Sequence, residues 1–339
     1  MEEKNITFCV PCYNSASYMR KAIDSLIKPF AKEVEIIIVD DGSKDDTGKI
    51  ADEYGDKYPD LIKVIHEENG GHGEGINNSI KLASGKYFKV IDSDDWVDET
   101  GYKMILEALR NNPDVDLFIS DYSYYVDGVK DKTINYKIAM PANRVITWKN
   151  VHKFLYQQNL TLHSCTYRTE LFRQINLKLP KKVSYEDNYM IYAPLRLVKK
   201  LYYLDHDFYC YFIGREGQSI TKSICMKKYK DHLLIAKLMD EEFDVFDYKK
   251  DRHLFRILMH HLKLVNSIAF IYTRLNKNKE AHKAYKDFII ELKSKNKRLY
   301  RYFKYHSYVG MFMLPSAFGG WINSTIMINL AHQVVPFYW

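Results

Sequence analysis

The amino-acid sequence predicts an α/β fold: a doubly wound, mostly parallel sheet flanked by helices over residues 1–222, followed by a mainly helical region over 223–339. Three observations carry this expectation. Short β-rich runs alternate with longer stretches of helical periodicity through the first 120 residues, the pattern of β-α-β units. Residues 34–39 form an almost uninterrupted apolar run, as in a parallel strand covered on both faces. Beyond Ser223 the periodicity turns helical and the charge balance inverts: residues 221–339 hold 21 Lys+Arg against 10 Asp+Glu, whereas residues 1–220 hold 29 against 33.

Taken in order, residues 6–10 read as a strand, and residues 16–27 place Met19, Ala22, Ile23, Leu26 and Ile27 on one helical face. Strand 34–39, helix 45–58, strand 61–65, helix 75–83, strand 87–91, helix 99–111 and strand 115–120 continue the alternation. Residues 121–140 change to short alternating runs around Asp127-Gly128, an antiparallel excursion. Helical pieces follow at 148–156, 169–174 and 187–197, then β-like runs at 201–204 and 208–213. The C-terminal region reads as helices over 229–242, 252–275, 280–293 and 297–305.

A chain of 339 residues accommodates a large α/β domain with an appendage, and 46% hydrophobic with 27% charged residues excludes a disordered or collagen-like chain. Five cysteines without framework spacing fit a reducing compartment. Cys9 and Cys12 are spaced C-x-x-C but lie along a strand end, away from the helix N-terminus whose dipole activates a redox thiol. Met-Glu-Glu-Lys runs straight into a strand with no apolar leader, so a cytoplasmic location is expected. Residues 305–339 contain no Asp, Glu, Lys or Arg, yet Pro315, Gly319, Gly320 and several polar residues interrupt them. Two readings stand for this segment: packing against the α/β domain, or docking on the interface of a membrane.

In a doubly wound sheet, ligands bind outside the carboxyl ends of the strands. Those ends carry Pro11-Cys12-Tyr13-Asn14, Asp40-Asp41-Gly42-Ser43 and Asp92-Ser93-Asp94-Asp95. Three carboxylates within four residues repel one another on a buried strand end unless a cation compensates, and hard oxygens suit Mg²⁺ or Mn²⁺. A solvated acidic turn capping helix 99–111 is the alternative. Asp40-Asp41-Gly42-Ser43 is either plain turn chemistry or a contact to a base or ribose. Asn69-Gly70-Gly71-His72-Gly73-Glu74-Gly75 enters a helix as a phosphate-approaching loop does, but it satisfies neither the P-loop pattern nor G-x-G-x-x-G. Glu186-Asp187 opens a helix, where acids are favoured in any case, and could supply a general base. His163 is either structural or a contact to acceptor or leaving group.

The ordered set Val-Pro-x-Tyr-Asn, Val-Asp-Asp-Gly-Ser, Asn-x-Gly followed by Asn77, Asp-Ser-Asp-Asp and Glu-Asp closely resembles the family 2 glycosyltransferases of the GT-A fold, over residues 5 to about 220. The resemblance implies an inverting hexosyl or hexosaminyl transfer from a nucleotide-diphosphate sugar, foremost a UDP-sugar. The acceptor would be a glycan or lipid-linked acceptor in envelope or capsular polysaccharide synthesis. By the same resemblance Pro11, Tyr13, Asp41, Asn69, Gly71, Asn77, Asp92 and Ser93 hold the donor, and Asp92, Asp94 and Asp95 hold Mn²⁺ or Mg²⁺. Asp187 is the implied base, with Glu186 and His163 toward the acceptor, and Arg215 in Gly214–Ile220 would close over the diphosphate. Many relatives carry Arg immediately before the residue matching Asn77; this chain has Ile76. A nucleotidyltransferase and a non-catalytic carbohydrate-binding scaffold are the competing classes. Nucleic acid is not an expected partner, since the basic region carries no recognition motif. The basic, Tyr-rich residues 223–339 are expected to meet an anionic inner leaflet, the acceptor or a second copy of the chain, making the protein peripheral on the plasma membrane.

Overall fold

The computed structural model describes residues 4–27, 32–155, 158–214, 218, 221–276 and 278–313. The chain divides into two compact units, Met1–His152 with Leu160–Arg215, and Lys153–Asn159 with Glu216–Trp339.

The first unit runs β1 (Ile6–Cys12), α1 (Met19–Ile27), β2 (Val34–Asp40), α2 (Thr47–Lys57), β3 (Ile62–His66), α3 (His72–Leu82), β4 (Tyr87–Val90), β5 (Trp96–Val97) and α4 (Glu99–Asn111). It continues with β6 (Leu117–Val126), β7 (Val129–Ile134), β8 (Val145–Ile146), β9 (Cys165–Arg168), α5 (Thr169–Gln174), α6 (Asp187–Leu195) and β10 (Leu201–Ile213). These strands form one ten-stranded sheet in the order β3-β2-β1-β4-β9-β6-β10-β5, with β7 on β6 and β8 on β10. The ladders of β1 with β2 and β4, β2 with β3, and β6 with β10 are parallel, and β7 adds an antiparallel ladder to β6. Short antiparallel pairings through β9 join the two parallel parts. The carboxyl ends of β1, β2 and β4 therefore open on one side, which is where the candidate residues sit.

Apolar patterning explains the core. β1 and β2 are buried along their whole lengths, and α1 buries Met19, Ala22, Ile23 and Leu26, the face read from its periodicity. Three local expectations differ. The helix read over 148–156 is only a 3₁₀ turn, Trp148–Asn150. Asn150 Oδ1 accepts from Thr147 N at 3.0 Å and Trp148 Nε1 donates to Val198 O at 2.7 Å, anchors that a single turn satisfies. The two β-like runs at 201–204 and 208–213 are one strand, irregular in register on either side of Asp207, whose carboxylate accepts from Ser123 Oγ at 2.6 Å. The glycine-rich segment is already helical from His72, because Gly71 at φ +85° turns the chain into α3.

The second unit contains α7 (Lys222–Lys227), α8 (Tyr229–Glu242), α9 (Arg252–Leu275), α10 (Lys279–Lys295), α11 (Lys297–His306) and α12 (Val309–Phe312). Among the described residues α9 is the one helix long and apolar enough to cross a membrane, and 78% of its apolar window is buried, the environment of a core helix. Asp251, Asn278 and Asn296 cap α9, α10 and α11 through their side chains. Residues 153–159 join this unit: Gln158 O lies 2.7 Å from His260 Nε2, and Phe154 meets the same ring edge-on. Of the uncharged tail, residues 314–339 lie outside the described residues.

Candidate active site

The residues expected on the donor side come first along the chain. Pro11 is buried in β1, while the Tyr13 ring beyond it is 47% exposed. Asn14 adopts φ +48°, and Ser15 Oγ lies 2.9 Å from Ser93 Oγ, tying the ends of β1 and β4 together. The Asp41 carboxylate accepts from Gly70 N at 2.5 Å and Gly71 N at 2.9 Å, and Asn69 Nδ2 donates to Asp41 O at 3.2 Å. Asp41, Asn69 and Gly71 are thus brought together, as partners of one another. The Asn77 amide clamps Leu179, donating to the carbonyl and accepting from the N–H, each at 2.9 Å.

Asp92-Ser93-Asp94-Asp95 begins two residues after β4 ends. Oxygens of Asp92 and Asp95 and a nitrogen of His163 lie within 4.8 Å of one another. Asp94, expected among the cation ligands, is outside that group, and His163, expected toward the acceptor, is in it. Tyr209 orders the cluster, its hydroxyl donating to Asp95 Oδ2 at 2.5 Å and accepting from Asp92 N at 3.1 Å. Phe212 N donates to Asp95 Oδ1 at 2.8 Å. Burial, with Asp94 and Asp92 adding repulsion, pushes the Asp95 carboxyl well above the usual range. Burial acts on Asp92 too, but the hydrogen bond and charge of His72 outweigh it and hold Asp92 below its usual value. Burial pushes His163 down to about 4, leaving a neutral ring. That ring stacks on Tyr211 at 4.3 Å, and its buried Nδ1 has no hydrogen-bond partner.

Two carboxylates and a neutral imidazole nitrogen are a donor set that fits a divalent cation such as Mn²⁺, and a cation's charge would relieve the mutual repulsion of the acids. Beneath the cluster, the buried Lys89 donates to the carbonyls of Leu162, His163 and Cys165 at 3.1, 2.8 and 3.2 Å, fixing the backbone that carries His163.

The acid pair at the start of α6 faces the same place. Tyr185 at φ +68° turns the chain, Glu186 points inward with its side chain 3% exposed, and Asp187 is partly exposed. His72 joins the two halves: Nε2 lies 3.0 Å from Asp92 Oδ1 and Nδ1 lies 2.6 Å from Glu186 Oε1. Burial opposes a charge on His72, but its two carboxylate partners prevail and raise its pKa well above the ordinary value. Burial, then the charges of Glu186 and Asp92, push Asp187 up to about 7, with His72 working against them.

Sequence reasoning missed three of these residues. His72 stood inside a quoted motif without a role, and its only signal was a titratable ring between two glycines entering a helix. Lys89 could have been found, since a lysine inside an apolar strand demands a partner. Tyr209 carried no local signal. Arg215 lies outside the described residues.

A crevice lined by acids at the carboxyl ends of parallel strands, with one carboxylate poised near neutrality, is where an α/β protein of this kind places its ligand site. The family model for glycosyl transferase family 2 matches residues 7–179, just over half of the chain, and the chain belongs to that family. It is 30% identical over 235 residues to the uncharacterised glycosyltransferase EpsJ of Bacillus subtilis, a match covering 68% of this chain and 66% of EpsJ. Glycosyltransferase GlyA of Streptococcus pneumoniae is 30% identical over 230 residues, covering 64% of this chain and 32% of GlyA. The chain thus spans less than two thirds of the length of these relatives. Among solved structures, residues 1–349 of S. aureus TarS in complex with UDP-GlcNAc superpose with a TM-score of 0.63 at 25% identity, covering 84% of this chain and 80% of that one. The mannosyltransferase PcManGT of Pyrobaculum calidifontis shares the fold at a TM-score of 0.53 and 12% identity.

Proposed function

We propose that this chain is a divalent-metal-dependent, inverting glycosyltransferase. It would move a hexosyl or hexosaminyl group from a UDP-sugar to a hydroxyl of a glycan or lipid-linked acceptor in cell-envelope polysaccharide synthesis. The observation that carries the reading is the Asp92–His72–Glu186 bridge: two acidic motifs distant in sequence meet across a single imidazole, as a donor side and an acceptor side must. The UDP-GlcNAc complex of TarS supports a UDP-sugar donor.

On this reading the ends of β1 and β2, with Pro11, Tyr13 and Asp41, hold the nucleotide, and the loop bearing Asn69 and Gly71 shapes the floor beside it. Asp92, Asp95 and His163 would hold the cation, which would neutralise the charge developing on the departing diphosphate. Asp187, with a carboxyl near 7, is matched to take a proton from an acceptor hydroxyl at neutral pH. The second unit offers α11 to an anionic inner leaflet: Lys297, Arg298, Arg301 and Lys304 are exposed, the helix has no acid, and Tyr305 is 65% exposed.

The test is incubation of the full chain with a panel of UDP-sugars, with and without Mn²⁺ or Mg²⁺, and chromatographic identification of the nucleotide released. The expected result is cation-dependent UDP, reduced roughly 10²-fold or more in Asp187→Asn. UMP with sugar 1-phosphate, or no nucleotide product from any donor, would overturn the reading.

A further inference from the structure

We propose that His72 is a positioning residue that sets the separation between the cation-side carboxylate Asp92 and the acid pair Glu186–Asp187, and that it acts on sugar transfer through Glu186. The inference rests on the glycosyltransferase reading for its role and on geometry for its existence.

The geometry is a two-sided clamp. The ring's nitrogens face carboxylates on opposite sides, 3.0 Å to Asp92 and 2.6 Å to Glu186. A ring that serves both acceptors donates from both nitrogens, whereas a neutral amide has one donor group and would present its oxygen to the second carboxylate. The backbone around the ring is built to place it there. A Cβ on Gly71 would meet Lys182 N at 2.8 Å, and one on Gly73 would meet Glu186 Cγ and Leu179 Cβ at 3.0 Å. Residues 71–73 and the segment 179–186 are therefore pressed together, with His72 the side chain reaching between them. Lys182 N donates to Gly70 O at 2.7 Å, and the Asn77 clamp on Leu179 closes the other end of the same contact.

The consequence falls on Asp187. A carboxylate buried as deeply as Glu186 requires a hydrogen-bonding partner, and His72 supplies it. With Glu186 held inward at the N-cap of α6, its neighbour Asp187, the first residue of that helix, is left partly exposed at the crevice. Releasing Glu186 frees that helix start, and with it the direction in which Asp187 presents its oxygens.

The experiment compares His72→Ala, His72→Gln, Glu186→Ala and the double variant His72→Ala/Glu186→Ala in the full chain, after thermal melts establish that each is folded. Expected are a fall in kcat of roughly 10- to 100-fold with donor KM changed less than about threefold, no rescue by glutamine, and a double variant no worse than the poorer single one. A second readout needs neither cation nor turnover: the side-chain ¹⁵N resonances of His72 in the metal-free protein. Glu186→Gln should move one ring nitrogen and Asp92→Asn the other. A folded His72→Ala with unchanged kcat, multiplying losses in the double variant, or ring resonances of a free solvated imidazole would overturn the proposal. If the wild-type chain transfers no sugar, the functional reading falls, and the resonances alone decide the clamp.

Discussion

Replacing Glu186 by glutamine should move the acid limb of the pH–rate profile to lower pH. On the proposed reading Asp187 is a base only when ionised, and burial followed by the charges of Glu186 and Asp92 puts its carboxyl at about 7 instead of 3.8. In the wild type, kcat/KM should therefore fall about tenfold per pH unit below that value. At an effective dielectric constant of about 20, any two like charges at a separation on the order of 6 Å repel by roughly 3 kcal/mol, which sets about two pKa units as the upper scale of the effect. Burial of Asp187 persists in the variant, so its carboxyl should fall only part of the way back toward the ordinary aspartate value. The variant should thus keep a larger share of its plateau rate at pH 6 than the wild type does. Glutamine keeps an oxygen for the His72 contact, so the side chain stays in place while its charge is lost. The assay is the initial rate of UDP release between pH 5 and 9 at low donor concentration, with Asp187→Asn as the control that should lose the limb. An acid limb that stays near 7 in Glu186→Gln, or moves upward, refutes the electrostatic reasoning. A limb that persists in Asp187→Asn refutes the base.

Gly71→Ala should destabilise the protein by about 2–4 kcal/mol, because a positive φ and a backbone collision at 2.8 Å act together. Gly128→Ala, at φ +79° with open space around its Cβ, should cost only about 1 kcal/mol; equal urea midpoints for the two variants would refute the packing argument. In flotation, the full chain should rise with phosphatidylglycerol vesicles and not with phosphatidylcholine. Arg301→Glu/Lys304→Glu should weaken binding tenfold or more at about 1 kcal/mol per basic residue. Flotation indifferent to both lipid charge and substitution would return α11 to a solvated face or a contact with a second copy.

The parallel half of the sheet was legible because its determinants are local. Residues 34–39 are apolar except for Glu35 and prove to be buried throughout, and α1 buries four of the five residues its periodicity selected, leaving Ile27 partly exposed. Strand ends were legible for the same reason, since Asp92-Ser93-Asp94-Asp95 directly follows an apolar run. What could not be read was pairing at long range. Trp148 and Val151 have helical spacing, but a 3₁₀ turn satisfies it, and the next backbone hydrogen bond, from His152 N, goes to Ala139 O. His163 joins the acids through β9 lying between β4 and β6, an order no pattern in one segment specifies.

The glycine-rich segment shows what the long-range view changes. Read alone, Gly70, Gly71 and Gly73 indicate backbone passing close to a phosphate. In the fold, Gly71 and Gly73 lie against Lys182, Leu179 and Glu186, and the amides of Gly70 and Gly71 are taken by Asp41. Their close approach is to the chain itself. Asp41 holds the loop, the loop and Asn77 hold residues 179–182, and His72 ties Glu186 to Asp92. The motifs are thus joined into one connected structure running from the end of β2 to the start of α6. A substitution at any of them should therefore disturb Asp187 as well as the site to which its own motif assigns it, which is why changes in kcat and in donor KM must be measured separately before a role is given to any one residue.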